Sequence, residues 1–302
     1  MSFSLSFLTA VRRSARLPRC SNCRGVSTVS GPVKLDFTKT LPESGNETSK
    51  PLVILHGLFG SKRNWTSLSK AFARDLDRPV YTLDLRNHGE SPHALPMTYE
   101  AMATDVLHFF DTHGLSDVSL LGHSMGGKVA MSVALDPALP ASLLQHLVVV
   151  DIAPSRGRLS GEFLQYTAVM KQIEGMRLKT RKEAAQVLAE VEKDASVVTF
   201  LLTNLVVPPA SSPDPVSFRI PVELLSDSVA NLGDFPYEKG ERTWGGKTLF
   251  VKGEKSAFIN RHNIPVAEAM FPGMVLKTLP TNHWVHAEKP MEFKEMVTKF
   301  IT

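Results

Sequence analysis

The fold of this 302-residue chain is decided by the stretch from Val118 to Ala130, which reads V-S-L-L-G-H-S-M-G-G-K-V-A. It begins as a short apolar strand, passes through a turn rich in glycine, and continues as a helix. Ser124 is at the tip of that turn, with Gly122 two residues before it and Gly126 two residues after it. A strand that reverses this tightly strains its central residue and leaves room only for small neighbours. The pattern predicts a serine hydroxyl at a helix N-terminus, where partial positive charge favours an oxyanion.

The G-x-S-x-G spacing alone is a weak signal, and a purely structural turn is the competing interpretation. The strand before it and the helix after it favour a nucleophilic serine. Such a serine needs a base to remove its proton, an acid to orient the base, and donors for the oxyanion.

Composition is that of an ordinary globular protein, with 43% hydrophobic and 21% charged residues. No apolar run approaches the roughly 18 residues of a membrane-spanning helix, so we expect no transmembrane segment. The net charge of +4 is unevenly placed, because residues 1–30 hold five arginines and no Lys, Asp or Glu. The rest of the chain is therefore close to neutral, and we expect no nucleic-acid partner.

Residues 1–32 form a leader that is rich in serine and arginine and whose first 30 residues lack acids. This composition predicts a mitochondrial transit peptide and a mitochondrial location, the matrix above all, with a disordered basic tail as the alternative. The leader also holds Cys20 and Cys23, both cysteines of the chain. With no further ligands nearby, this C-x-x-C predicts neither a metal site nor a redox site.

Strands and helices alternate through most of residues 33–302, which predicts one α/β domain with a mostly parallel sheet. The predicted strands are residues 33–37 (an edge strand), 52–55, 80–83, 118–121, 147–150, 248–251 and 275–278. The predicted helices are residues 65–74, 98–113, 128–135, 163–173, 181–191, 197–205, 222–232 and 292–301. Between about residues 155 and 246 the strands cease, and this helical insertion is interpreted as a lid over the carboxyl edge of the sheet.

Four motifs occur in a characteristic order: H-G-L-F-G at 56–60, D-L-R-N-H-G-E-S-P at 84–92, G-H-S-M-G-G-K at 122–128 and N-H-W-V-H-A-E-K-P at 282–290. Together they resemble the α/β-hydrolase superfamily, and within it a group of mitochondrial serine hydrolases and bacterial esterases. The resemblance covers about residues 51–302. It implies an α/β-hydrolase fold with a helical lid, and it implies acyl or lipid esters such as diacylglycerol as substrates. It implies no cofactor and no metal.

The resemblance assigns the base to His283, which follows the last predicted strand. His286, three residues on, is interpreted as structural, and His123 is expected to point into the helix–sheet packing. Asn282 occupies the position where the family usually has a glycine before its histidine. Because asparagine tolerates left-handed backbone best among the other residues, we expect the turn to survive.

The orienting acid stays open among three candidates, because the loop after the strand at 248–251 lacks the usual aspartate. Asp151 at the end of the preceding strand is favoured, Glu223 is the main alternative, and Glu254 is the third. The resemblance assigns the oxyanion donors to the backbone N–H groups of Met125 and Leu58.

The leading hypothesis is a serine hydrolase that cleaves carboxylic esters, acyl or lipid, through an acyl-enzyme. A thioesterase or a carbon–carbon bond hydrolase with the same three residues is an alternative. From another class, a non-catalytic scaffold that binds a protein partner is a further alternative. The sequence does not indicate a protein partner.

Overall fold

The computed structural model of the protein describes residues 26–29, 31–48, 50–157 and 161–302. In chain order its strands are β1 (Ser27–Thr28), β2 (Phe37–Thr40), β3 (Leu52–Leu55), β4 (Val80–Leu83), β5 (Ala94–Leu95), β6 (Val118–His123), β7 (Leu144–Val150), β8 (Leu205–Val206), β9 (Ser217–Phe218), β10 (Lys247–Gly253) and β11 (Val275–Leu279). Seven of them form the central sheet, in the order β11-β10-β7-β6-β3-β4-β2. All neighbours in it are parallel except β2, which pairs antiparallel with β4.

The helices in chain order are α1 (Thr66–Leu76), α2 (Tyr99–Thr112), α3 (Met125–Ala134), α4 (Gly161–Met176), α5 (Arg181–Val191), α6 (Ala195–Leu201), α7 (Val222–Leu232), α8 (Ile264–Met270), α9 (Val285–Glu288) and α10 (Pro290–Ile301). Two 3-10 turns cover Lys62–Trp65 and Leu202–Asn204. These bounds confirm an α/β fold with a mostly parallel sheet.

Alternate side chains of the central strands enter two separate cores. Leu52 and Ile54 of β3 pack with α1 and α10 on one face, whereas Val53 and Leu55 pack with α2 and α3 on the other. Both faces are apolar, which explains why β3 is a continuous hydrophobic run. Burying each such side chain stabilises the fold by about 1.5–3 kcal/mol.

The sequence predicts an edge strand at residues 33–37; an edge strand is present, but the predicted bounds are wrong, because β2 covers Phe37–Thr40. Val33 and Leu35 are buried, as their alternation suggests, but the backbone around them bonds to side chains. Val33 N–H donates to Asp105 Oδ1 at 2.7 Å, and Asp36 N–H donates to Ser91 Oγ at 2.8 Å.

Most of the predicted leader, residues 1–25, lies outside the described residues. Ser27–Thr28 at its end forms β1, which pairs in parallel with β5 at Ala94–Leu95. The transit-peptide interpretation stays a prediction.

The insertion between β7 and β10 carries four helices, α4 to α7, and the short antiparallel hairpin β8–β9. The helix predicted at residues 197–205 is shorter than expected, because α6 ends at Leu201 and a 3-10 turn then leads into β8. The hairpin was not predicted, since two-residue strands carry no periodic pattern.

The two ends of the insertion meet at a neck, defined by Gly157 on the way in and by Leu232, Gly233 and Asp234 on the way out. Gly157 N–H donates to Gly233 O at 2.9 Å. From the body of the protein, Lys128 Nζ donates to Gly233 O at 3.2 Å and to Asp234 O at 2.7 Å. Backbone contact and a buried ammonium group therefore tie the insertion to α3.

Candidate active site

Ser124 occupies the tight turn between β6 and α3. Its backbone is left-handed, with φ 53° and ψ −118°, a conformation that costs about 1–3 kcal/mol when a residue other than glycine adopts it. A Cβ at Gly122 would lie 2.1 Å from Gly126 O, and a Cβ at Gly126 would lie 2.5 Å from His56 O. Both flanking positions therefore require glycine, as the sequence pattern predicts.

His283 lies in the loop after β11 and is paired with Asp151. Its Nδ1–H donates to Asp151 Oδ2 at 2.7 Å, and its side chain is 17% exposed. Asp151 follows β7 and its side chain is fully buried. A histidine that donates from Nδ1 keeps its Nε2 lone pair available to accept a proton.

Two further hydrogen bonds hold Asp151 in place. Its own N–H donates to Val251 O at 2.8 Å, and its Oδ1 accepts from Gly253 N–H at 2.9 Å. Its φ is 51°, so it shares the left-handed backbone of Ser124. Both carboxylate oxygens are satisfied, one by the sheet and one by His283.

The other two candidate acids are exposed at the surface. Glu223 lies in the first turn of α7, is 76% exposed, and pairs with Lys171 Nζ at 2.9 Å. Glu254 is exposed in the loop after β10. Of the three candidates, Asp151 is the one hydrogen bonded to His283.

His123 links the serine turn to the His283 loop. Its Nε2–H donates to the backbone O of His283 at 3.0 Å, and the two rings lie 4.7 Å apart. The expectation that His123 points into the helix–sheet packing is therefore wrong. Burial first, and then the neighbouring His286 and His283, lower the pKa of His123 well below its ordinary value. This uncharged ring fixes the position of the loop that carries His283.

His286 lies in α9 and packs inside the protein. It is buried, and its ring stacks on Trp65 with centroids 4.3 Å apart. Burial lowers its pKa to about 3.

The loop that contains Leu58 lies directly against the serine turn. A Cβ at Gly57 would lie 3.2 Å from Ser124 Cβ. Residues 57–60 form a turn, which Gly60 N–H closes by donating to Gly57 O at 2.9 Å. Met125, the second predicted donor, is the first residue of α3, and first-turn N–H groups have no partner within their own helix.

Two buried, neutral histidines hold this loop. His56 Nδ1–H donates to Gly57 O at 2.8 Å, and its Nε2 accepts from Leu85 N–H at 3.0 Å. His88 Nε2 accepts from Phe59 N–H at 3.2 Å. Burial is the main cause that lowers the pKa of both rings, and that of His88 falls to about 3. Because one nitrogen of each ring must accept an N–H, both rings work only when uncharged.

The D-L-R-N-H-G-E-S-P loop, which contains His88, is itself held by hydrogen bonds and ion pairs. Asp84 accepts from Lys62 N–H and Glu90 N–H and pairs with Lys62 Nζ at 2.6 Å. Arg86 forms a bidentate pair with Asp105, at 2.6 and 2.7 Å, and both are buried. The Asp84 and Asp105 carboxylates and the Arg86 guanidinium group therefore bond to other groups of the protein. Their role is to hold the loop.

Aromatic side chains of the insertion approach the same region. Phe200 of α6 packs edge-on against Trp284, with centroids 4.3 Å apart, and Phe163 of α4 lies 6.4 Å from Phe59. From the loop after β10, Phe258 packs on the ring of His283 at 4.2 Å. Phe258 and the Phe200–Trp284 pair therefore supply apolar surface near His283.

A separate surface cavity of about 390 Å³ lies at the other end of the sheet, near the start of β10. Its lining includes Asp136, Pro140, Arg242 and Trp244. None of its lining residues belongs to the region around Ser124.

Within the described residues, no cluster of three or more His, Cys, Asp or Glu side chains is arranged to hold a metal ion. None of the helices built from those residues has the length and apolar character that crossing a bilayer requires.

Comparisons with known proteins agree with this architecture. A family model described as "alpha/beta hydrolase fold" matches residues 50–290. The sn-1-specific diacylglycerol lipase ABHD11 of Danio rerio is 37% identical over 85% of this chain and 80% of its own length. A probable alcohol acetyltransferase of Saccharomyces cerevisiae is 35% identical over 89% of this chain and 81% of its own.

Among solved structures, a marine microorganism esterase superposes with a TM-score of 0.77 at 33% identity. The superposition covers 89% of this chain and 99% of that one. The family model spans most of the chain, and the relatives match over most of their own length. This chain belongs to the α/β-hydrolase fold family.

Proposed function

We propose that this carboxylic ester hydrolase is a serine enzyme that cleaves lipid or other acyl esters through an acyl-enzyme on Ser124. The observation that carries the proposal is the 2.7 Å hydrogen bond from His283 Nδ1 to the buried carboxylate of Asp151. Because this bond leaves Nε2 as the basic nitrogen, His283 can act as general base for the hydroxyl of Ser124. Ser124 follows β6, which is the sheet neighbour of the strand that precedes Asp151.

In the first half of the reaction, His283 Nε2 takes the proton of Ser124 Oγ as Oγ bonds to the ester carbonyl carbon. The tetrahedral intermediate collapses, the bond to the alcohol breaks, and the alcohol leaves with the proton from His283. In the second half, water loses a proton to His283 and attacks the acyl-enzyme. The carboxylic acid is released and Ser124 regains its proton. Asp151 stabilises the imidazolium ion that forms in both halves.

The oxyanion of each tetrahedral intermediate is proposed to bind the N–H groups of Leu58 and Met125. Two features support this assignment: Gly57 packs against Ser124, and Met125 begins α3. Losing one such donor typically costs about 10²–10³ in rate.

The insertion at about residues 155–246 is proposed to act as a lid and to supply the acyl pocket. Phe200 and Trp284 offer apolar surface near His283, and Phe163 offers it beside Phe59, which suits an acyl chain. The similarity to a diacylglycerol lipase supports a lipid ester as substrate. The composition of the leader supports import into the mitochondrial matrix as a further part of the proposal.

A second candidate is acyl transfer to an alcohol in place of water. It is favoured by the relative described as a probable alcohol acetyltransferase. The same acyl-enzyme would serve, because an alcohol can lose its proton to His283 and attack the acyl carbon as water does. Adding ethanol to the assay and measuring ethyl ester against free acid separates the two activities.

The proposal is tested by labelling the folded protein with a fluorophosphonate and locating the adduct by mass spectrometry. We expect one adduct, on Ser124, and turnover of short- and long-chain acyl esters. Ser124→Ala should lose both label and turnover while its melting temperature stays nearly unchanged. Retained turnover in this variant would remove Ser124 as nucleophile, and absence of any Ser124 adduct would favour the scaffold hypothesis.

A further inference from the structure

The loop that contains Leu58 is hydrogen bonded by His56, by His88 and by a residue of the insertion. Asn204 lies at the end of the 3-10 turn Leu202–Asn204 and is buried. Its Nδ2–H donates to Phe59 O at 2.7 Å and, more weakly, to Leu201 O at 3.3 Å. Phe59 follows the proposed oxyanion donor Leu58 in sequence, so a residue of the insertion bonds directly to the loop that presents that donor.

The bond from Asn204 is made to Phe59, whose backbone conformation is unfavourable. Phe59 has a φ of 61°, which is unfavourable for a residue with an aromatic side chain. Its N–H is held by His88 Nε2 and its C=O by Asn204 Nδ2. Removing either partner leaves one end of this strained residue without its hydrogen bond.

Asn204 is itself fixed by the hairpin of the insertion. Arg219 N–H, next to β9, donates to Asn204 O at 2.8 Å. The Arg219 side chain pairs with Glu90 of the loop after β4. The insertion is therefore attached to the Leu58 loop by a neutral hydrogen bond and to the loop after β4 by an ion pair.

We infer that Asn204 is a positioning residue for ester hydrolysis: it holds the Phe59 carbonyl so that Leu58 N–H points at the developing oxyanion. This inference rests on the proposed function. It assigns to the insertion a part in assembling the oxyanion hole, in addition to covering the site. Displacing the 3-10 turn would release Phe59 O, so the hole is complete only when this part of the insertion is seated.

The test compares Asn204→Asp, Asn204→Ala and Thr203→Ala with the wild-type protein. Asn204→Asp keeps the shape but replaces the donor with a carboxylate oxygen that faces a carbonyl. Asn204→Ala removes the donor without adding charge, and it serves if the first variant folds poorly. Thr203 is the matched control, because it is exposed in the same turn and its Oγ1 donates to Phe200 O instead of the Leu58 loop.

Rates are expressed per active site titrated with fluorophosphonate, so unfolded protein does not count. Losing part of an oxyanion donor should lower kcat by about 10–100-fold in both Asn204 variants. KM should change less than about threefold, because substrate binding does not depend on the developing charge. A trifluoromethyl ketone, which forms a tetrahedral adduct on the serine, should bind more weakly by a factor similar to the loss in kcat/KM.

The pH dependence separates positioning from a general structural role. A protonated carboxyl group can donate to Phe59 O, so the activity of Asn204→Asp relative to wild type should rise as the pH falls. The ratio for Asn204→Ala should stay flat.

Variants of Asn204 with kcat within twofold of wild type, or a ketone affinity that does not change, would overturn the inference. An equal loss in Thr203→Ala would overturn it as well. Wild-type protein that neither labels on Ser124 nor turns over esters would defeat the proposed function itself, and this inference with it. Normal wild-type turnover with unaffected Asn204 variants defeats the inference alone.

Discussion

The hydrogen bond between Asp151 and His283 requires a group that can only accept. In Asp151→Asn, the amide can place an N–H toward Nδ1, which favours the histidine tautomer whose Nε2 is protonated and cannot act as a base. We expect kcat to fall by about 10⁴-fold while the fold is retained. Steady-state kinetics of acyl ester hydrolysis, with the melting temperature measured in parallel, check this prediction.

Glu223→Gln and Glu254→Gln are the matched controls, since both side chains are exposed. Each should keep kcat within twofold. A large loss in Glu223→Gln with none in Asp151→Asn would transfer the acid role to Glu223.

Sequence motifs identify the site residues that have characteristic neighbours along the chain. Ser124 and His283 are marked by their neighbours in sequence, but the choice among three acids depends on strand register. Val150 of β7 pairs with Val251 of β10, and this register brings Asp151 to Gly253 N–H and to the His283 loop. Neither that register nor the His123 bond to the His283 carbonyl leaves a signature in a one-dimensional pattern.

Among the elements, the central strands and the edge strand β11 lie where the sequence predicts them, whereas the edge strand β2 lies further along the chain than predicted. β3 is a continuous apolar run and all four residues of β4 are buried, because both sheet faces are covered. Residues 33–36 alternate like a strand, yet their backbone donors are taken by Asp105 and Ser91. The β8–β9 hairpin is held by four residues and by bonds such as Arg219 N–H to Asn204 O, which no hydrophobic period reveals.

The neck of the insertion offers a test with two glycines that face each other. A Cβ at Gly233 would lie 2.3 Å from Gly157 O, whereas a Cβ at Gly157 meets none of the described residues within 4 Å. Gly233→Ala should therefore push the two ends of the insertion apart and lower the free energy of unfolding by about 1–3 kcal/mol. Gly157→Ala should change it by no more than about 0.5 kcal/mol. Urea unfolding followed by tryptophan fluorescence measures both.

The neck also carries Lys128, so a shift in the Gly233 carbonyl should be felt on α3. If Gly233→Ala proves as stable as Gly157→Ala, the two ends of the insertion are not in the close contact described. Equal destabilisation by both variants would point instead to a general preference for glycine there.

For the molecule as a whole, the sequence predicts the order of strands and helices best. It predicts the burial of polar side chains least. The order of strands and helices follows from apolar runs separated by helical periods. Five histidines with lowered pKa values nevertheless lie inside the protein, and composition gives no hint of this. They are His56, His88, His123, His146 and His286.

These histidines predict how stability depends on pH. Burial lowers the folded-state pKa of each, to about 3 for His88 and His286 and to about 4 for His146, so the unfolded chain binds more protons below its own pKa near 6.5. The stabilisation is therefore fully present above about pH 6.5 and is lost as the pH falls toward the folded-state values. Each histidine contributes up to about 1.4 kcal/mol per pH unit to the slope.

We expect the free energy of unfolding, from urea titrations at pH 7.5, 6.5 and 5.5, to change little over the first interval and fall steeply over the second. His286→Phe keeps a ring on Trp65 and removes one titrating group, so it should flatten the slope below pH 6.5 by about 1.4 kcal/mol per unit. His262→Gln, which removes an exposed histidine, is the matched control. The slope is the readout, because an altered packing volume at residue 286 shifts all pH values together. Identical slopes for both variants, or stability independent of pH down to 5.5, would show that these imidazoles are not held neutral by the fold.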